Sequence, residues 1–284
     1  MNLKTLRLLP LAAFVVSLSA MASQDNAALI KQGEYVARAA DCGACHRTVE
    51  QGGALFSGGY AIDSPMGRII SSNITPSKTH GIGDYTEQQL ADALRKGINA
   101  KGQHLYPAMP YTAYQGMSDA DIHALYVYLQ QGVKPVDKAV PATELPFPFN
   151  VRALMFGWNL LFLDASSATL PTDAGEPLKR GQYLVDTLGH CGACHTPRNA
   201  FMAEDSSRYL AGAALGGWVA PNITSDQASG IGSWSNDELA GFLKNGHVTN
   251  KAQAAGGMAE AVENSLRFLS DGDYKRDLYK LKLP

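Results

Sequence analysis

Cys42-Gly43-Ala44-Cys45-His46 and Cys191-Gly192-Ala193-Cys194-His195 repeat one pentapeptide at a distance of 149 residues, and together they use all four cysteines of the chain. This spacing is the one that attaches c-type haem. Two thiols add across the two vinyl groups of a porphyrin, and the two-residue gap sets the sulfurs apart by the vinyl separation. The adjacent His then offers an imidazole nitrogen to the iron from the same turn. A zinc site would need both pairs to converge across 149 residues, and a thioredoxin-like dithiol would need a βαβ surrounding that neither pair has.

The repeat extends beyond the pentapeptides. With the chain shifted by 149 residues, Gly67 falls on Gly216, Asn73-Ile74-Thr75 on Asn222-Ile223-Thr224, and Gly81-Ile82-Gly83 on Gly230-Ile231-Gly232. Leu90, Ala91, Leu94 and Gly97 land on Leu239, Ala240, Leu243 and Gly246. The expectation is a duplication with one haem in each unit.

The same shift selects the sixth iron ligand. Among Met66, Met109 and Met117, only Met109 meets a methionine, Met258, and both stand 63 residues after their His. Met66 and Met117 fall on Leu215 and Leu266, as apolar core positions do. The rival histidines His80, His104 and His123 fall on Ser229, Gln253 and Gly272, while His190 and His247 map back onto Asp41 and Ile98. None is duplicated. The pattern therefore favours His46/Met109 and His195/Met258 as axial pairs, and a thioether in that place raises the reduction potential.

The first residues place Lys4 and Arg7 before an apolar run from Leu8 to Leu18, with Ala20-Met21-Ala22 as a small-x-small exit. This reads as a secretory signal peptide cleaved after Ala22. Disulfides are the default use of cysteine in an exported chain, which makes the two haem pentapeptides the more telling. Composition agrees with packed globular domains: 45% hydrophobic, 18% charged and a net charge of -2. That balance offers no basic surface for nucleic acid.

Gln24 to Ala40 and Leu178 to Leu188 carry helical spacing and lead into the pentapeptides. Thr86-x-x-Gln89 and Ser235-x-x-Glu238 are capping boxes opening helices that close near Gly97 and Gly246, and Ser118-x-x-Asp121 and Ser270-x-x-Asp273 start a further pair. Gly- and Pro-rich loops lie between. Asn73-Ile74-Thr75 and Asn222-Ile223-Thr224 formally match glycosylation acceptors, but their duplication near the haem motifs suggests a pocket role. Tyr85 and Trp234 are equivalent aromatics, read as packing in preference to donors toward a haem propionate. Lys134 to Pro177 is a Pro-rich linker whose apolar middle, Val151 to Leu163, is too short and too interrupted to span a bilayer. It is expected to be a helix buried on both units, with partner contact as the alternative.

Over nearly the whole chain beyond the signal, the sequence resembles the cytochrome c subunits of bacterial membrane-bound dehydrogenases, of the quinoprotein alcohol, gluconate and sorbitol dehydrogenase type. The stretches that carry the likeness are GEYVARAADCGACH (33–46), SNITPSKTHGIGDYTEQQLADALRKGI (72–98), LYPAMPYTAYQGMSDADIHALYVYL (105–129), PFPFNVRALMFGWNLLF (146–162), PNITSDQASGIGSWSNDELAGFLKNG (221–246) and GGMAEAVENSLRFLSDGD (256–273). The resemblance implies two covalently bound haem c groups on Cys42, Cys45, Cys191 and Cys194, with His46, Met109, His195 and Met258 as axial ligands. It implies an electron-transfer subunit with no catalytic residues of its own. A catalytic dehydrogenase subunit, PQQ- or flavin-dependent, would be the donor, and quinone or another cytochrome of the respiratory chain the acceptor. The place implied is the periplasm, peripheral on the outer face of the cytoplasmic membrane. Members of that family usually continue into a third haem unit, which the present sequence, ending at Pro284, lacks.

The expected fold is all-α, with two tandem class I cytochrome c-like haem domains. The divisions are 1–22 signal peptide, 23–133 first domain, 134–177 linker with a short apolar helix, and 178–284 second domain. A free soluble dihaem carrier is the alternative function. A dihaem peroxidase is disfavoured because a duplicated Met would fill both irons, where peroxide chemistry needs an open position.

Overall fold

A computed structural model describes residues 11–48, 53–163 and 175–274. The start of the expected signal peptide, Pro171 of the linker and the closing Leu281 to Pro284 lie outside these residues.

The first half opens with α1 (Leu11–Ala39), which runs through the expected cleavage boundary at Ala22. Asp41, in the left-handed region at φ 52°, separates it from the single turn α2 (Cys42–Cys45). Asp tolerates that conformation better than most residues, so the chain turns sharply there. A hairpin of β1 (Ala61–Ser64) and β2 (Gly67–Ile70) follows. Next come α3 (Glu87–Lys96), the short α4 (Tyr111–Tyr114) and α5 (Asp119–Val127), which continues as a π turn at Tyr128–Gly132. The linker carries α6 (Leu154–Phe162).

The second half repeats this order. Helix α7 (Glu176–Gln182) runs on as a π turn at Tyr183–Leu188 and leads to α8 (Gly192–His195). The hairpin of β3 (Ala213–Leu215) and β4 (Trp218–Ala220) precedes α9 (Asn236–Asn245), and β5 (His247–Val248) pairs with β6 (Ala252–Gln253) before α10 (Gly257–Asn264). The π turn has a sequence cause. Gly33 stands nine residues before Cys42 but Gly181 stands ten before Cys191, and the wider turn absorbs the extra residue.

Both expected capping boxes form, with Thr86 and Ser235 accepting from Gln89 N and Glu238 N, and both helices close on left-handed Gly97 and Gly246. Such a cap stabilises a helix by about 1 kcal/mol. Ser118 and Ser270 likewise accept from Asp121 N and Asp273 N.

Two parts of the expected fold are corrected. The chain is not all-α, because among the described residues three two-stranded antiparallel sheets stand between the helices. The second hairpin turns on Gly216 and Gly217, both at positive φ, which suits the tight two-residue turn that twisted strands favour. Nor are the halves tandem domains with separate cores. One apolar cluster joins Val36, Leu94, Met117, Leu125 and Leu129 of the first half to Leu184, Leu188, Leu239, Leu243 and Tyr274 of the second.

The halves are also tied crosswise. Tyr35 hydroxyl donates to Asp273 and accepts from Ser270 N, while Tyr183 hydroxyl donates to Asp121 (2.7 Å) and accepts from Ser118 N (3.1 Å). Each half thus sends a tyrosine from its entry helix onto the Ser-x-x-Asp cap of the other. Burial, reinforced by the aspartate partner, pushes both phenols up to about 12. Burial would raise Asp273, but hydrogen bonds from Arg180 and Tyr35 hold it below its ordinary value.

Helix α6 forms as expected, yet it is not buried. Leu160 is 78% exposed and Leu161 68%, and Phe147 just before the helix is 81% exposed. The side facing the protein is held by polar groups: Trp158 Nε1 donates to Phe201 O, and Asn159 Nδ2 to Lys96 O. Only the side that carries Met155, Trp158 and Asn159 meets the protein, which leaves the stripe of Leu160 and Leu161 open.

A shared core should unfold once. Denaturant unfolding is expected to show one transition for both halves, and Tyr35→Phe and Tyr183→Phe are each expected to lower its stability by about 1.5–3 kcal/mol, the usual worth of a hydrogen bond to a charged group. Two separate transitions, each moved by only one substitution, would contradict the shared core.

Candidate functional site

Each pentapeptide forms a single helical turn that presents its histidine toward the loop that follows the hairpin. His46 Nδ1 lies 2.7 Å from Ser72 O, and His195 Nδ1 lies 2.8 Å from Pro221 O. The acceptor stands 26 residues after the histidine in both cases. A carbonyl can only accept, so Nδ1 carries the proton and Nε2 is left as the lone-pair nitrogen. Burial lowers the pKa of both imidazoles against the opposing effect of that hydrogen bond, which favours the neutral, ligating form.

The residue after each acceptor explains why the carbonyl is in place. Asn73 Oδ1 accepts from Thr75 N (2.9 Å) and Thr75 Oγ1 (2.7 Å), and Asn222 Oδ1 accepts from Thr224 N (2.8 Å). These side-chain turns fix the backbone next to Ser72 and Pro221. Asn73 is 3% exposed and its Nδ2 is spent on Val136 O, so its formal glycosylation match is a packing device. The Gly-Ile-Gly repeat supports the same loop. A Cβ on Gly81 would lie 2.2 Å from Thr75 O, and one on Gly230 2.3 Å from Thr224 O, so the backbone can close there only with glycine.

The four cysteines form no disulfide with one another, and burial above all pushes the Cys42 side chain up to about 12 and Cys45 to about 11. Cys194 is raised for the same reason. Asp41, directly before Cys42, is held at about 7 by burial, with Arg47 opposing, and its Oδ1 has no hydrogen-bond partner.

The methionines selected by the repeat occupy equivalent turns. Met109 N donates to Tyr106 O and Met258 N to Ala255 O, both at 3.2 Å. Upstream, Leu105 N to Gly97 O and Ala254 N to Gly246 O are both 2.7 Å. Met117, excluded by the repeat, is 2% exposed in the core. Cysteine pairs outside any disulfide, histidines whose Nε2 keeps its lone pair, and the duplicated methionine turns fit a covalently attached haem at each pentapeptide.

Tyr85 and Trp234 pack against the core; Tyr85 hydroxyl accepts from Ala100 N, and Trp234 meets Phe242 edge-on. Ser72 and Pro221 are the functional groups that sequence reasoning missed, since a backbone carbonyl leaves no side-chain signature. The duplicated Asn-Ile-Thr beside them was the available signal.

Comparison with known proteins adds a second line of evidence. The cytochrome c family model matches residues 30–132. The chain is 53% identical over 245 residues to the fructose dehydrogenase cytochrome subunit of Gluconobacter japonicus, covering 86% of this chain and 50% of that protein. It is 45% identical over 276 residues to the gluconate 2-dehydrogenase cytochrome c subunit of Pantoea cypripedii, covering 94% and 62%. A diheme cytochrome c-type protein of Cereibacter sphaeroides is 36% identical over 239 residues, covering 82% of this chain and 79% of that one. The chain thus spans about half the length of the fructose dehydrogenase subunit. A single recognised cytochrome c domain in the first half also replaces the expected pair of tandem ones.

Removing the side-chain turns should loosen the histidine acceptors unequally. Asn73→Ala, which strands the buried Thr75 N and Thr75 Oγ1, is expected to cost about 2–3 kcal/mol in thermal or denaturant unfolding, and Asn222→Ala about 1 kcal/mol. Equal small losses would contradict the role given to the buried turn.

Proposed function

The chain belongs to the cytochrome c family, among relatives named as cytochrome subunits of dehydrogenases, and from that premise we propose that it is an electron-transfer subunit carrying two haem c groups. Cys42 and Cys45 hold one and Cys191 and Cys194 the other. His46 and Met109 ligate the first iron, His195 and Met258 the second. The observation that carries this reading is the paired histidine geometry: in each half Nδ1 is fixed on a carbonyl 26 residues on, and Nε2 is left for a metal. Bound haem c supplies one-electron chemistry, and thioether ligation raises its potential.

The protein's own residues orient rather than react. Ser72 and Pro221 hold the imidazoles, the turns at Tyr106 to Met109 and Ala255 to Met258 present the thioethers, and a shared apolar core packs the halves together. The donor is a catalytic dehydrogenase subunit, PQQ- or flavin-dependent, and the acceptor a quinone or another cytochrome. The chain is exported by residues 1–22 and acts in the periplasm, peripheral on the outer face of the cytoplasmic membrane. Its haem-bearing regions, 23–133 and 178–284, flank the linker 134–177. No helix among the described residues is long and apolar enough to cross a membrane.

The test mixes the purified chain with fructose, gluconate or ethanol, with and without a catalytic dehydrogenase subunit specific for that substrate. Haem reduction only in the presence of that dehydrogenase is expected; substrate turnover without it would overturn the assignment. In the same protein, Met109→Ala and Met258→Ala are each expected to lower one of two reduction potentials. Potentials unchanged in both variants would remove the methionines from the irons.

A further inference from the structure

The two methionine arms are equivalent in register but are held by different neighbours. Two and six residues after Met109, Tyr111 hydroxyl donates to Asn159 Oδ1 (2.7 Å) and Gln115 Nε2 to Leu163 O (2.5 Å), so the first arm is docked on the linker helix α6. The shift of 149 residues carries Tyr111 onto Glu260 and Gln115 onto Asn264. Those two residues hold something else. Arg47 Nη2 donates to Glu260 Oε2 (3.0 Å) and Arg47 Nη1 to Asn264 Oδ1 (3.3 Å).

Arg47 is the residue after His46, and it has no repeat counterpart, since the shift places it on Thr196. Glu260 and Asn264 lie one helical turn apart on α10, the helix whose second residue is Met258. The guanidinium therefore grips one face of that helix with two donors, as its fork geometry allows. Neighbouring contacts follow the same direction: Ser265 Oγ donates to Ala39 O, and Arg38 lies 4.2 Å over the ring of Phe268. The second methionine arm is thus docked on the helix and turn that carry the first pentapeptide.

We propose that Arg47, although it follows the first site's histidine, is the positioning residue for the second site's methionine. This rests on the two-haem reading above. The consequence is that the second iron's axial ligand is held by the first site, whereas the first iron's ligand is held by the linker. The half-exposed ion pair alone is a modest holding force, so its loss should weaken methionine ligation without abolishing it.

The experiment tags each site. In full-length protein carrying Met109→His, the methionine-to-ferric-iron absorption reports Met258 alone, and in protein carrying Met258→His it reports Met109 alone. Imidazole is titrated as a competing ligand. In the first background, Arg47→Glu and Glu260→Arg are each expected to lower the half-displacing imidazole concentration roughly threefold, and the two together to restore it. In the second background, Arg47→Glu is expected to leave it unchanged. Equal weakening in both backgrounds would place the effect on neighbouring His46 and overturn the proposal, as would failure of the double variant to recover. Haem content from pyridine haemochrome absorbance keeps two failures apart. Fewer than two haems per chain overturns the proposed function and this inference with it, whereas two haems with unaltered displacement overturns this inference alone.

Discussion

The hydrogen bond from each histidine Nδ1 to a backbone carbonyl is the constraint on which the rest of the architecture depends. A pentapeptide turn can place a histidine near a metal, but it cannot choose which ring nitrogen faces it. The carbonyls of Ser72 and Pro221 make that choice, and they are in place because Asn73 and Asn222 fold the next residues into side-chain turns. Those turns in turn sit on a backbone crossing that only Gly81 and Gly230 permit. A stretch that looks like loop is therefore over-determined by hydrogen bonds and close approach. Rigidity of this kind suits electron transfer, in which the surroundings of the metal should move little between redox states.

The second constraint is that neither half is complete alone. Tyr35 and Tyr183 cross to the Ser-x-x-Asp caps of opposite halves, and the apolar cluster runs through both. Crossing contacts pack the two pentapeptide-bearing halves directly on each other, beyond their covalent connection through the linker. The exposed stripe of α6 is the exception. Its inner side, through Asn159, bears on the first methionine arm, while Leu160 and Leu161 face outward. An apolar stripe of that kind is surface that a docking protein or a lipid headgroup region can cover.

What the sequence disclosed was whatever had a local or repeated signature. The helical turns of the pentapeptides and both capping boxes were legible because residue type, spacing and duplication all pointed the same way. The hairpins were missed although Gly216-Gly217 between Leu215 and Trp218 is a tight-turn signal; short strands among glycines read as loop when helical spacing dominates on either side. Tyr35 and Asp273 stand 238 residues apart, and nothing in either neighbourhood announces the other. Helix α6 was read as buried because it is strongly apolar, but composition does not say how many of its sides find a neighbour. The docking positions Tyr111, Gln115, Glu260 and Asn264 were hidden for a related reason. The repeat aligns them, but their side chains differ because their partners do.

The central claim is that both halves carry a haem, each on its own pair of cysteines. Intact-mass measurement of the purified chain, followed by mapping of the peptides that contain Cys42–Cys45 and Cys191–Cys194, tests it most directly. The account requires one thioether-linked haem on each peptide and two on the chain. A single haem, or a disulfide in place of the second attachment, would contradict it.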